Sequence, residues 1–252
     1  MPRPLRQPVF GSIAFRMGID MGEAAGPVPE YRCFRELFAR PLRDGLRPLD
    51  SAADAVVSPV DGCVSGFGLA RQGGMIQAKG IDYPLAGLLA SPELAARLDG
   101  GTYVTLYLRP HDYHRIHSPM AGRVRSLWHV AGTLFPVQPS VVRGIRGLYV
   151  RNERVVFDLE TPIGRAAMVC VAAAGVGNIT TSWGLPSGSN GARMEVGAEV
   201  TKGQEMARFN LGSTVIVVLP PGRAEIAPLT PGQEIRMGQR VASARARTRE
   251  GD

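Results

Sequence analysis

The sequence predicts an α+β protein rich in β-strand, and three observations support this fold class. Glycine and proline are abundant, at 31 and 20 of 252 residues, while aromatic residues make up only 6%. Such a composition favours many turns and short strands over long helices. From about residue 55, short β-prone runs follow one another, and helical patterns are confined to a few places. We expect sandwich-like or barrel-like sheets, preceded by a short N-terminal helical region.

Changes in composition along the chain divide it into three regions. Residues 1–50 carry eight arginines and six acidic residues. Within them, apolar residues recur at helical spacing over 30–40, up to Pro41. This pattern predicts an amphipathic helix, either a membrane-proximal one or a lid packed on the protein. Residues 51–241 form the predicted β-rich domain, and residues 242–252 form a small, charged tail that we expect to be disordered.

Apolar runs bounded by glycine or proline locate the strands of the predicted domain. A helical pattern replaces them over residues 85–98. The strand-like runs cover residues 56–57, 102–108, 124–128, 148–159, 167–172 and 215–219.

Charge and cysteine content exclude several classes of protein. The net charge is +7, yet the only lysines are Lys79 and Lys202, which leaves little choice for the Schiff-base lysine of a pyridoxal-phosphate enzyme. The excess of arginine reflects either coding bias or a preference for phosphate and lipid headgroups. Three scattered cysteines favour a reducing compartment. The most apolar run, residues 166–177, is far shorter than the ~20 residues that span a bilayer, so any membrane attachment is expected to be peripheral.

One turn sequence occurs twice, sixty residues apart. Ser-Pro-Val-Asp-Gly at 58–62 and Ser-Pro-Met-Ala-Gly at 118–122 are proline-led turns that end on glycine before a strand. With residues 196–204 they resemble the turns of biotinyl and lipoyl carrier domains. Those carriers present a modifiable lysine on a hairpin tip, and neither Lys79 nor Lys202 has that setting. We interpret this resemblance as one of fold, and a non-catalytic carrier-like binding module is the alternative from a different class.

A few polar residues are candidates for chemistry. Histidine is the side chain whose ordinary pKa lies near neutrality, so a histidine cluster suggests a general base; its spacing fits no common zinc site, and no metal is predicted. Asp61 could orient such a base or simply bond its own turn. Ser213 is a candidate nucleophile beside the unhindered carbonyl of Gly212, although Gly-Ser-Thr is also an ordinary turn. The clustered histidines are His111, His114 and His117.

In order and spacing, these motifs resemble the phosphatidylserine decarboxylase proenzymes of the longer bacterial type. The decisive pair is Tyr-His-Arg-Ile-His-Ser-Pro at 113–119 and Leu-Gly-Ser-Thr at 211–214. One departure is Asn178, where relatives often have serine. The resemblance runs through most of the chain and also includes residues 34–42, 47–48, 58–62, 78–80, 132–137, 175–177 and 209–210.

The resemblance implies that the chain cuts itself between Gly212 and Ser213. Asp61 would orient His117, and His117 would deprotonate Ser213 for attack on the Gly212 carbonyl. Elimination and hydrolysis would then turn Ser213 into a pyruvoyl group, the cofactor that forms a Schiff base with the substrate. His114 would return a proton to the substrate after carbon dioxide leaves.

The same resemblance implies a substrate and a location. Phosphatidylserine would be converted to phosphatidylethanolamine at the cytoplasmic face of the cell membrane, with peripheral attachment to anionic phospholipid. The cut chain would be a heterodimer of a β chain, residues 1–212, and an α chain, residues 213–252, and would assemble into a homo-oligomer. No nucleic-acid partner is expected. Another amino acid or serine phospholipid is the alternative substrate.

Overall fold

A computed structural model describes residues 2–70, 74–78, 81–173, 179–184, 191–210 and 213–245, with the backbone alone at 76–78, 81 and 82. The helices are α1 (Arg3–Met17), a 3₁₀ turn (Val28–Glu30), α2 (Phe34–Phe38), α3 (Leu85–Leu89), α4 (Pro92–Leu98), α5 (Pro139–Val142) and α6 (Leu148–Arg151). The strands are β1 (Ala55–Val57), β2 (Gly62–Leu69), β3 (Gly74–Ala78), β4 (Ile81–Pro84), β5 (Thr102–Leu108), β6 (Arg115–His117), β7 (Gly122–Val130), β8 (Arg154–Thr161), β9 (Gly164–Ala172), β10 (Ile179–Thr181), β11 (Arg193–Val200), β12 (Glu205–Phe209), β13 (Ser213–Leu219), β14 (Ala224–Ile226), β15 (Glu234–Ile235) and β16 (Arg240–Ala244).

The largest sheet has eight antiparallel strands in the order β11-β7-β8-β9-β13-β5-β2-β15. Strand β13 is hydrogen-bonded to β9 on one side and to β5 on the other. Its side chains alternate between two cores, with Val215 and Val217 in one and Ile216 and Val218 in the other. Because both faces of the strand are covered, its sequence is apolar throughout.

Smaller sheets cover one face of the large sheet, and short helices cover the other. The first core joins the large sheet to the three-stranded sheets β1-β16-β14 and β10-β12-β6. The second core joins it to α3, α4, α6 and the hairpin β3-β4. The prediction of a β-rich α+β fold is therefore confirmed, and the sheets formed by the described residues are open and do not close into a barrel.

The N-terminal helices build a third, smaller core of their own. Phe10 and Ala14 of α1 pack there with Val28, Tyr31 and Leu37. Helix α2 covers less of residues 30–40 than the periodicity predicts and buries both Leu37 and Phe38 completely. In the described chain, α2 thus has the arrangement of a packed lid.

Two segments differ from the sequence prediction. The apolar run 148–159 begins as helix α6, which follows the left-handed Gly147 (φ 65°), and becomes strand β8 only at Arg154. The first residues of the predicted tail belong to β16, which pairs with β1 and β14. The remainder of the tail, from residue 246, lies outside the described residues.

The repeated turn sequence folds into a repeated structure. The Ser58 hydroxyl donates to the Val60 carbonyl at 2.6 Å, and the Ser118 hydroxyl donates to the Met120 carbonyl at 2.7 Å. Each serine thus closes its own proline-led turn through the same bond.

The two turns also bond each other reciprocally. The Val57 amide donates to the Pro119 carbonyl, and the His117 amide donates to the Pro59 carbonyl, both at 2.9 Å. The turns are therefore related by a local twofold arrangement. Asp61 and His117 stand at positions where the repeats differ, since the matching positions hold alanine and valine.

The glycines that end the two turns are needed for close backbone packing. A Cβ on Gly62 would lie 2.3 Å from the Tyr107 carbonyl oxygen, and one on Gly122 would lie 2.4 Å from that of Glu160. We therefore expect Gly62→Ala to lower the free energy of unfolding by roughly 1–3 kcal/mol, because the paired strands must separate locally. Denaturant unfolding measures this. Gly66→Ala in the same strand is the control, since no atom lies within 4 Å of its Cβ; an equal loss in both variants would contradict the explanation.

Candidate active site

The carboxylate of Asp61 is held by an arginine from the N-terminal region. Arg47 donates from Nε to both Asp61 oxygens at 2.9 Å and from Nη2 to Oδ2 at 2.6 Å. The same guanidinium reaches Glu23 at 2.6 Å. Burial opposes its charge, but the hydrogen bonds to Asp61 and Glu23 outweigh burial and raise the pKa of Arg47. The Met237 amide also donates to Asp61 at 2.8 Å, so this carboxylate is fixed from two sides.

The ring of His117, at the end of β6, is buried between two hydrogen-bond partners. Nδ1 lies 2.8 Å from the Gly203 carbonyl oxygen, and Nε2 lies 3.0 Å from the Tyr113 hydroxyl. A carbonyl only accepts, so these partners assign the proton to Nδ1 and make Nε2 the acceptor of the Tyr113 proton. Burial lowers the pKa of His117 and favours the neutral ring. In this state its basic nitrogen is occupied by Tyr113.

His114 is a second neutral histidine, and its basic nitrogen is free of described partners. Nδ1 donates to the Asp112 carbonyl at 2.9 Å, which leaves the lone pair on Nε2, and that atom has no hydrogen bond to any described residue. The residue is completely buried, and burial lowers the pKa of His114 to about 3. The ring of Phe38 covers it, with the ring centroids 3.9 Å apart. The lid helix α2 therefore shields an unprotonated imidazole from solvent.

Ser213 is the first residue of the central strand β13, between Leu108 of β5 and Ala172 of β9. It is fully buried, and its hydroxyl makes no hydrogen bond among the described residues. An unpaired buried hydroxyl costs roughly 1–3 kcal/mol, so such a group in a native fold calls for a strained or chemical role. Gly212, the other side of the predicted cleavage site, lies outside the described residues.

The structure brings two of the predicted residues onto neighbouring turns without joining their side chains. Asp61 and His117 lie on the paired turns, but Asp61 bonds Arg47 while His117 bonds Tyr113. The hydroxyl of Ser213 bonds neither histidine. The relay from Asp61 through His117 to Ser213 therefore stays a prediction. It requires Nδ1 of His117 to exchange the Gly203 carbonyl for Asp61, and Nε2 to exchange the Tyr113 hydroxyl for that of Ser213.

Several residues of the site were not predicted from the sequence. Arg47 and Glu23 lie far from Asp61 along the chain, and no spacing pattern links them. Tyr113 had a usable signal, because it stands four residues before His117 in the histidine segment. Phe38 lies in the segment 34–42 that carries the family resemblance, but its contact with His114 was not predicted.

Other roles for the polar residues find less support. Lys202 donates its ammonium to the backbone carbonyls of Asp50 and Ala52, at 2.6 and 2.9 Å, so it is not presented as a carrier lysine would be; Lys79 lies outside the described residues. Across the part of the chain that the structure covers, no group of three or more metal-binding side chains is found. None of the described helices is both long and apolar enough to cross a membrane.

Fold and site together define a β-rich protein with buried acid–base groups. The family model for phosphatidylserine decarboxylase matches residues 34–243. A phosphatidylserine decarboxylase proenzyme of Anaeromyxobacter sp. (strain K) is 46% identical, over 96% of this chain and 89% of the relative. The proenzyme of Halorhodospira halophila is also 46% identical, over 94% and 84%, and that of Acidovorax ebreus is 44% identical, over 90% and 83%.

These matches define a carbon–carbon lyase that removes a carboxyl group. The chain belongs to the phosphatidylserine decarboxylase family, and its closely similar relatives bear the name of proenzymes.

Proposed function

We propose that this chain cuts itself at Gly212-Ser213 and that the resulting pyruvoyl enzyme decarboxylates phosphatidylserine. The observation that carries the proposal is the buried hydroxyl of Ser213 at the head of the central strand, which bonds no residue that the structure describes. Two neutral histidines in the segment 113–119 supply the base that such a hydroxyl needs. Family membership supports the same chemistry.

Self-processing is an acyl shift followed by an elimination. Nε2 of His117 takes the Ser213 proton, and the serine oxygen attacks the Gly212 carbonyl, so that the peptide bond becomes an ester. Loss of the α-proton of Ser213 expels the Gly212 carboxylate and leaves dehydroalanine. Water then replaces the amine, and ammonia is released. One hydroxyl and one amine are consumed, and a keto group remains at the start of the second chain.

The cut protein is expected to stay in one piece. Strand β13 begins at Ser213 and is hydrogen-bonded along its length to both β5 and β9. Both of these strands precede the cleavage site, so residues 213–252 remain bonded to the first chain after cleavage. The product is therefore a heterodimer with the new terminus held in the middle of the large sheet.

The buried position of Ser213 fits a pyruvoyl group, since the keto oxygen would take the place of the Ser213 nitrogen on Cα and Cβ would become a small apolar methyl group. Such a group would accept the electrons released when the bond between the α-carbon and the carboxylate of an amino acid breaks. His114 contributes the proton transfer. Its Nε2 bonds none of the described residues, and because burial disfavours the charged ring, it gives up a proton readily once it has gained one. The Phe38 ring packs against this imidazole, which is completely buried.

We also propose that the protein lies on the cytoplasmic face of the cell membrane, on anionic lipid, and that helix α1 makes the contact. Leu5, Val9 and Phe15 of this helix are 53%, 37% and 87% exposed. Arginines at positions 3, 6 and 16 flank them. Exposed apolar residues beside arginines suit the interface of an anionic bilayer.

Two measurements test the proposed function directly. On a denaturing gel, purified protein should resolve into a large fragment and the 40-residue segment 213–252. Mixed micelles of phosphatidylserine should then release carbon dioxide, while free amino acids should not. A chain that stays intact and releases no carbon dioxide contradicts the proposal. Release from free amino acids alone would instead favour the alternative substrate.

Replacing Phe15 with serine should weaken binding to phosphatidylserine vesicles about ten-fold, because burial of one large apolar side chain is worth roughly 1.5–3 kcal/mol. Vesicle sedimentation measures the bound fraction. Leu69→Ser is the control, since Leu69 is 47% exposed but lies on β2. Equal losses in both variants would show that α1 is not the contact.

A further inference from the structure

A row of polar side chains crosses the small sheet β10-β12-β6 close to Ser213. Thr180, Arg208 and Arg115 are directly paired across the three strands. Two arginines placed opposite each other repel, and such like-charged cross-strand pairs are destabilising. The fold bridges them with Glu205, which lies 2.7 Å from Arg115 and 3.1 Å from Arg208. One carboxylate between two guanidiniums holds both in place and leaves a net positive charge.

The row lines a groove of about 410 Å³ between α2 and the small sheet. Arg35 of α2 lines the opposite wall and forms no ion pair with a described residue. Glu36 also lines the groove, but Arg32 neutralises it at 2.8 Å. The described lining therefore carries more positive than negative charge, as a site for an anion requires.

The groove is next to the reacting residues. Asn210, in its wall, precedes Ser213 by three residues, so the two lie within about 11 Å even if the chain is fully extended. Arg115 directly follows His114. In a phospholipid headgroup, the phosphate is only a few bonds from the amine that reacts at Ser213, so the phosphate must bind close to this residue.

We propose that this groove binds the phosphodiester of the substrate headgroup, with Arg208 and Arg35 as the groups that contact it. The inference rests on the proposed function. A guanidinium presents a planar pair of donors that matches phosphate oxygens. Arg115 lies deeper, with 17% of its side chain exposed against 43% for Arg208, and positions Arg208 through Glu205. Recognition of the phosphate would separate phosphatidylserine from free serine.

Arg208→Gln and Arg35→Gln test the assignment. Each variant should still cut itself, and each should raise KM for phosphatidylserine in mixed micelles about ten-fold, the effect of one hydrogen bond to a charged group, with kcat changed less than about three-fold. Binding of glycerophosphoethanolamine, measured by titration calorimetry on the cut enzyme, should weaken equally, while binding of inorganic phosphate should be far weaker throughout.

Arg125→Gln is the matched control, because Arg125 also lies on a strand, is 45% exposed and is paired with Glu160. If Arg208→Gln and Arg35→Gln change KM and headgroup binding no more than this control, the groove is not the phosphate site. An equal weakening of vesicle binding and an equal rise in KM in all three variants would also overturn the phosphate assignment, because it would indicate a general effect of surface charge. Failure of the unmodified protein to cut itself would overturn the proposed function instead.

Discussion

Replacing Ser213 with alanine is expected to leave a single uncut chain of 27.0 kDa and to abolish carbon dioxide release. Without the hydroxyl there is no acyl shift, and without the shift there is no keto group. The unmodified protein should yield a small fragment whose mass is lower, by one ammonia, than that of a serine-headed peptide. Its first residue should carry no free amine. Denaturing gels and intact mass spectrometry measure both properties.

The alanine variant is expected to fold at least as well as the unmodified chain. Ser213 is buried and its hydroxyl bonds no described residue, so its removal takes away an unsatisfied polar group and should add about 1 kcal/mol of stability. Loss of cleavage therefore cannot be ascribed to unfolding. Ser213→Thr, which keeps a hydroxyl, should still cut, but more slowly. Cleavage of Ser213→Ala at the same bond would refute the serine mechanism.

The central strand and the histidine segment were predictable because their signals are local. Strand β13 is apolar on both faces, and a short apolar run bounded by turn residues is the mark of a buried strand. An N-terminal helical region was predicted and is confirmed, but the position of α1 within it was not, because its apolar residues point in several directions: Phe10 and Ala14 are buried, whereas Leu5 and Phe15 are exposed. A helix of that kind shows no single apolar stripe.

The partners of the site residues were not predictable, since they come from distant parts of the chain. The carboxylate of Asp61 could be identified as a candidate from its turn, but its bonds to Arg47 and to the Met237 amide depend on the packing of the N-terminal region. The hydrogen bond between the Tyr113 hydroxyl and Nε2 of His117 likewise depends on how the folded chain orients the two rings. Residue type indicated the chemistry, and only tertiary structure shows which groups are engaged.

His114→Gln and His117→Gln should separate the two chemical steps. His114→Gln is expected to cut itself normally and then to decarboxylate phosphatidylserine about 10²–10⁴-fold more slowly, the usual effect of losing a general acid or base. His117→Gln is expected to remain uncut. His111→Gln is the control, because its side chain is 41% exposed, and it should match the unmodified protein in both assays. Uncut His114→Gln together with normally cut His117→Gln would reverse the two assignments.

Acid stability provides an independent test of the buried state of His114. Its pKa, about 3 in the folded protein, is below its ordinary value of 6.5. Above pH 6.5, His114 is neutral in both the folded and the unfolded chain. Between pH 6.5 and 3, only the unfolded chain gains a proton at this residue. The free energy of unfolding therefore decreases as the pH is lowered, by up to ~1.4 kcal/mol per pH unit. In the uncut Ser213→Ala background, adding His114→Gln should therefore reduce the loss of unfolding free energy between pH 6.5 and 4.5. Equal losses in the two proteins would show that His114 is protonated or solvent-exposed in the folded chain, and its place as a shielded proton carrier would have to be abandoned.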